Sequence, residues 1–204
     1  MEPIFFIIIL IISVVIHEVA HGYSAYALGD PTAKHAGRLT LNPIPHIDII
    51  GSILVPAFLL LTGSSILFGW AKPVPFNPYN LKAGKWGPAL VAIAGPASNL
   101  IIVLVFGLVI RFSAVLNIAS TPFLEISSMI VILNIALAVF NLIPIPPLDG
   151  SKILFALIPY KWHQVEEFLT RYQLVLVLFV IFFAIDIISP VITFIYSLIT
   201  GIGF

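Results

Sequence analysis

An all-α polytopic membrane fold, with about four to six transmembrane helices, is what this sequence predicts, and three observations carry the prediction. Of 204 residues, 60% are hydrophobic and only 9% charged, with a mean hydropathy of +1.15, which nearly excludes a water-soluble domain. The apolar residues gather in blocks at 4–28, 49–68, 87–111, 126–143 and 173–203, each near the ~20 residues a helix needs to cross hydrocarbon. The connections carry nearly all the charges: Lys34 and Arg38, then Lys72, Lys82 and Lys85, then Arg111 and Glu125, then Lys152, Lys161, Glu166, Glu167 and Arg171. No stretch resembles a separate soluble domain, a linker or a repeat, so residues 1–204 read as one domain. Nine basic and nine acidic residues balance, which leaves no basic face for nucleic acid. The absence of cysteine excludes disulfides, thiolate ligands and cysteine nucleophiles.

The first block could be mistaken for a signal peptide, since Ala25-Tyr26-Ala27 mimics a cleavage site. However, Met1-Glu2-Pro3 lacks a positive n-region, and two histidines and a glutamate interrupt the segment before the cut, so the helix is expected to be retained. Those residues are His17-Glu18-Val19-Ala20-His21, an H-E-x-x-H motif. Positions i and i+4 share a helix face, so both imidazoles can hold one zinc ion with Glu18 beside an activated water. Ionisable groups in a membrane helix cost at least ~2–3 kcal/mol each and usually mark function.

Residues 37–41, Gly37-Arg38-Leu39-Thr40-Leu41, alternate like a short β-strand. The block at 49–68 is broken by Gly51, Pro56 and Gly63-Ser64-Ser65, which suits a re-entrant segment. The third block contains Gly95-Pro96-Ala97-Ser98-Asn99, whose small residues offer a face for close helix approach. Asn99, Asn134 and Asn141 are amides at membrane depth and need partners; packing is the role expected for Asn99. After the fourth block, the prolines of Asn141-Leu142-Ile143-Pro144-Ile145-Pro146-Pro147-Leu148-Asp149-Gly150 forbid regular helix and leave free carbonyls, as in a cavity wall. A short helix is expected at 150–158. The last block is interrupted at Asp186-Ile187-Ile188-Ser189-Pro190, read as a turn at a membrane edge.

Charge placement decides the topology. If every block spans, with the N-terminus outside, Lys34, Arg38 and Arg111 lie inside while Lys72, Lys82, Lys85, Lys152, Lys161 and Arg171 lie outside, inverting the usual bias. If 49–68 instead dips in and returns, eight of the nine basic residues lie inside and only Arg111 lies outside. The same topology brings Asp149 to the depth of His17 and His21, nearer the cytoplasmic face. The alternative is a full span at 49–68 offset by an uncounted crossing.

The motif supplies two ligands and a base, so a catalytic zinc needs a third protein ligand. The acids available are Asp30, Asp48, Glu125, Asp149, Glu166, Glu167 and Asp186. Asp149 is the best placed, although it could also serve as the N-cap of the short helix. Zinc at plus two, with Asp149 and Glu18 at minus one each and neutral histidines, sums to zero. His35, His46 and His163 lie in loops among polar neighbours and read as solvated.

On these motifs, together with Trp70-Ala71-Lys72-Pro73-Val74-Pro75, the chain resembles the site-2 proteases, intramembrane zinc metalloproteases. The resemblance covers most of the sequence. It implies a three-helix catalytic core, one Zn2+ held by His17, His21 and Asp149, and Glu18 as catalytic acid/base. It also favours a substrate-binding role for Asn141, with Gly95, Pro96 and Asn99 in supporting positions. The form is compact, without the PDZ or CBS domains of other members, and the segment at 49–68 departs from the shortest ones. The expected activity is hydrolysis of peptide bonds in transmembrane protein substrates within or near the lipid bilayer, in a multi-pass protein of the cell membrane. A substrate unwound into an extended form could pair with the edge at 37–41. The competing expectation is a zinc-binding or zinc-transport membrane protein without proteolytic activity.

Overall fold

The computed structural model describes residues 2–62, 69–183 and 185–203. Three of the described helices are long and apolar enough to cross a membrane: α1 (Glu2–Ala27), α4 (Gly87–Phe112) and α5 (Thr121–Asn141). Between α1 and α4 lie a single turn, α2 (Thr32–His35), and a π-helical stretch (Ile49–Leu54) that continues into α3 (Val55–Leu61). After α5 come α6 (Asp149–Leu157), α7 (His163–Arg171), α8 (Gln173–Phe183) and α9 (Ile185–Thr200).

The core is a three-helix stack with α4 in the middle, packed on α1, α5, α6 and α9. Helix α1 shows why. Ser13, His17, His21 and Ala25 recur every four residues on its buried face, while Ile4, Phe5, Ile7, Ile8, Ile11 and Ile12 face outward. Its polar stripe therefore points at protein and most of its isoleucines point outward. Helix α4 runs antiparallel to α1: Ser24 Oγ donates to Leu90 O, His21 meets Val91, and His17 meets Asn99. Helix α5 runs the same way as α1, since Asn134 pairs with Ser13 and the turn after Asn141 reaches His17 and His21. A second cluster seals the far end, where Val103 and Ile110 of α4 meet Val131 and Ile135 of α5 and Tyr196 of α9. Gly107 permits that contact, for a Cβ there would lie 2.5 Å from Ile199.

The ends of the intervening segment meet. Trp70 N donates to Gly51 O, and Ser52 Oγ donates to Trp70 O. Gly51 is required at that contact, because a Cβ would run into the Trp70 ring. Lys82 N donates to Leu28 O, so the end of α1 and the approach to α4 lie side by side. The chain thus leaves and re-enters the helical core at one end.

Three expectations change. Gly37 lies in a turn and residues 39–41 form bends, and no strand occurs among the described residues; Arg38 is drawn inward to Lys72 O, which breaks the alternation that suggested a strand. Residues 186–190 belong to α9, with Pro190 inside the helix. His46 is buried, donating from Nε2 to Thr40 O. Gly63, Ser64 and Ser65, read as a break, lie outside the described residues.

Candidate metal centre

The i, i+4 spacing in α1 presents His17 and His21 on the buried face, with ring centroids 4.6 Å apart and planes perpendicular. Asp149 arrives from the far side. Its segment cannot continue α5, because Pro144, Pro146 and Pro147 remove backbone donors and fix φ, so the chain turns and restarts as α6. Gly150 lets the restart sit against α5, since a Cβ there would collide with the Leu142 carbonyl oxygen. Leu148, not Asp149, is the cap of α6, which leaves the Asp149 carboxylate to the histidines. Its Oδ2 lies 3.2 Å from His17 Nε2 and 3.1 Å from His21 Nε2; the two Nε2 atoms are 3.1 Å apart. All three side chains are buried. Lys152 Nζ donates to Asp149 Oδ1 at 3.2 Å and holds the carboxylate from behind.

The opposite ring nitrogens explain why these atoms converge. His21 Nδ1 lies 2.7 Å from Val91 O, a carbonyl that can only accept, so Nδ1 carries the proton and Nε2 presents a lone pair. His17 Nδ1 lies 2.6 Å from Asn99 Oδ1, with the same consequence. With both rings neutral, two imidazole lone pairs and a carboxylate oxygen then face one another. That donor set is stable around a cation and unfavourable without one; nitrogen and carboxylate oxygen are ligands that zinc accepts. Gly95 forms the floor, since a Cβ there would lie 2.5 Å from His21 Nε2 and 2.6 Å from His17 Cε1. Pro96, fully buried beside it, deprives the Ala92 carbonyl of its helical donor one residue from the Val91 carbonyl that His21 uses.

Glu18 is partly exposed and accepts the Val74 N–H at Oε2, 2.8 Å away. The donor belongs to an extended segment, 70–77, anchored at several points: Lys72 N donates to His46 O, Arg38 donates from a terminal guanidinium nitrogen to Lys72 O at 2.6 Å, and Asn77 N donates to Asp30 Oδ2 at 2.7 Å. Asp30, with no exposed surface, also accepts from Thr32 Oγ1 and Asn80 Nδ2. Burial pushes its carboxyl up, but these hydrogen bonds outweigh burial and hold it below the usual carboxylate range.

Of the acids available for a third ligand, Asp149 alone joins the histidines among the described residues. Asp48 caps the π-helical stretch, accepting from Gly51 N, and Glu125, Glu166 and Glu167 are exposed. Asn141 donates to Leu137 O in its own helix. Asn99 does more than pack: it joins His17 to Asn134. Sequence reasoning did not find the Val91 carbonyl, Lys152, or the Val74 donor to Glu18. Only Lys152 left a trace there, as a cation three residues after the acid.

The model of peptidase family M50 matches residues 113–183, which include α5 and the Asp149 turn. The chain is 43% identical over 185 residues to the Bacillus subtilis protein named "Putative zinc metalloprotease YwhC", covering 86% of this chain and 80% of that one. It is 31% identical over 145 residues to "Putative zinc metalloprotease Rip2" of Mycolicibacterium smegmatis, covering 71% of this chain and 53% of that protein. With "Zinc metalloprotease MJ0392" of Methanocaldococcus jannaschii the identity is 29% over 160 residues, 78% of this chain and 36% of the other. The chain therefore spans most of the first relative but about half or less of the other two. No solved structure matches it.

Proposed function

The chain belongs to peptidase family M50, the site-2 protease family, and from that membership we propose that it is a zinc-dependent endopeptidase that cuts transmembrane protein substrates within or near the bilayer. The observation that carries the reading is the convergence of His17 Nε2, His21 Nε2 and Asp149 Oδ2, with both Nδ1 atoms committed to acceptors.

His17, His21 and Asp149 would hold one zinc ion, which when bound supplies Lewis acidity toward a water and a substrate carbonyl. The remaining steps fall to the chain. Glu18 takes the proton of the attacking water at its carboxylate and later gives it to the leaving amine. The Val74 N–H fixes the Glu18 rotamer through one oxygen and leaves the other for the proton. Burial of the three ligands keeps bulk water from competing for the site. Asn141, at the end of α5 next to the Asp149 turn, is the residue we assign to contact with substrate backbone.

The topology we propose is supported by the meeting of segment ends at Gly51 and Trp70, and at Leu28 and Lys82. These contacts support a re-entrant segment at 49–68 and three core spans, with a further passage through α8 and α9. The ends that meet carry most of the lysines and arginines, which favours a cytoplasmic side for them, and for the metal centre near them, in a cell-membrane protein. A transport function would need a ladder of ligands across the helices; among the described residues only one such group occurs.

The test is a reconstituted cleavage assay. Glu18→Gln should lose at least about 100-fold in rate, the contribution of a general base, while still binding zinc. Cleavage at the wild-type rate would remove Glu18 from the mechanism, and zinc flux surviving the substitution would favour transport.

A further inference from the structure

Asn134 touches neither the presumed metal atoms nor Glu18, yet it is fully buried in the middle of α5 and hydrogen-bonded on every polar atom. Its Nδ2 lies 2.9 Å from Ile130 O and 2.9 Å from Ser13 Oγ; its Oδ1 lies 2.8 Å from Asn99 Nδ2. Asn99, also fully buried, turns its Oδ1 to His17 Nδ1.

An amide looks the same in either orientation, so its direction must come from its partners. The Ile130 carbonyl can only accept, and the Asn134 atom beside it must therefore be the NH2. That leaves Asn134 Oδ1, which can only accept, facing Asn99; the Asn99 atom opposite must be its NH2. Asn99 Oδ1 then faces His17, whose Nδ1 must carry the proton. Reversing any member sets two donors or two acceptors against each other where water cannot intervene. The direction of the whole chain of bonds is dictated by one backbone carbonyl, and Ser13, one turn before His17 on α1, accepts the second Asn134 proton and closes the circuit across three helices.

We infer that Asn134 is a positioning residue which, by holding Asn99 in one orientation from the Ile130 carbonyl, fixes His17 in the Nδ1–H tautomer and so turns its Nε2 lone pair toward Asp149. Zinc affinity depends on this, because an imidazole protonated at Nε2 cannot ligate through that atom. The consequence for zinc rests on the metal reading above, whereas the tautomer does not.

The experiment uses the whole chain in detergent, zinc-free and labelled with 15N-histidine, and reads which ring nitrogen of His17 bears the proton. The His17 resonances, identified by their loss in His17→Gln, should show a proton on Nδ1 and none on Nε2. Asn134→Leu frees Asn99 to turn over, so it should yield a mixture of tautomers and weaken zinc binding about 10- to 100-fold, the usual effect of losing an outer-shell partner. The double variant Asn99→Asp with Asn134→Leu should recover the single tautomer and most of that affinity, since a carboxylate offers His17 an acceptor whichever way it lies. A role in packing alone predicts the same loss in both backgrounds. Where the leucine variant fails to fold, Asn134→Ala is read the same way, and the wild-type spectrum stands without either. A proton on Nε2 in the wild type, an unchanged tautomer in Asn134→Leu, or a double variant as weak as the single would each overturn the assignment. Nδ1–H in a chain that binds no zinc would refute the metal reading and leave the relay in place.

Discussion

Gly95 shows how little room the metal centre leaves at the scale of single residues. A Cβ at that position would lie 2.5 Å from the His21 ring and 2.6 Å from the His17 ring, closer than side chains approach, so both imidazoles would have to move. Gly95→Ala should therefore weaken zinc binding at least tenfold, about 1.4 kcal/mol, by titration calorimetry, while the helices keep their circular dichroism. Affinity equal to wild type would show that the rings have space that the structure denies them. The sequence exposed half of this centre. The four-residue spacing in His17-Glu18-Val19-Ala20-His21 fixes two rings on one face by helix geometry alone. Asp149 had to be chosen from seven acids by prolines and charge, because its approach is a matter of tertiary packing. Val91 was invisible, since a backbone carbonyl leaves no mark on residue identity.

At the scale of elements, the extended segment at 70–77 carries the Val74 donor to Glu18, and Asp30 anchors its far end through Asn77 and Asn80. Pro73 and Pro75 keep it from forming regular helix. Its partners were not readable from the sequence, because each lies 18 or more residues away along the chain. The opposite error occurred at 37–41, where alternation suggested a strand but Arg38 turns inward to the Lys72 carbonyl. Asp30→Asn replaces one acceptor oxygen with a donor facing other donors, and should cost about 1–3 kcal/mol in unfolding free energy and speed hydrogen exchange at the Asn77 amide. The pH dependence has a definite sign. A carboxyl held below its ordinary value of about 3.9 stabilises the fold above that pH and loses the contribution as pH falls through the native value. Wild-type melting temperature should drop on acidification from about pH 5 toward 3, more steeply than that of Asp30→Asn; parallel curves would show that Asp30 is no anchor.

For the whole molecule, apolar block lengths and charge placement anticipated a helical membrane protein, and three helices of spanning length bear this out. The same charge count pointed to a segment at 49–68 that does not cross, a reading that cysteine labelling can decide. Because the chain has no cysteine, single cysteines report topology without background. Cysteines at Lys34, Lys82 and Lys161 should react with an impermeant maleimide only from the cytoplasmic side, and one at Val115 only from the other. Labelling of Lys34 and Lys82 positions from opposite sides would mean that 49–68 crosses.

The central claim is that the zinc site is divided, half on α1 and half on the turn before α6. Metal analysis of the purified chain beside its His17→Gln and Asp149→Asn variants tests it most directly. One zinc per chain in the wild type, lost from both variants alike, is the predicted result; zinc retained at full stoichiometry and unchanged affinity in Asp149→Asn would contradict it.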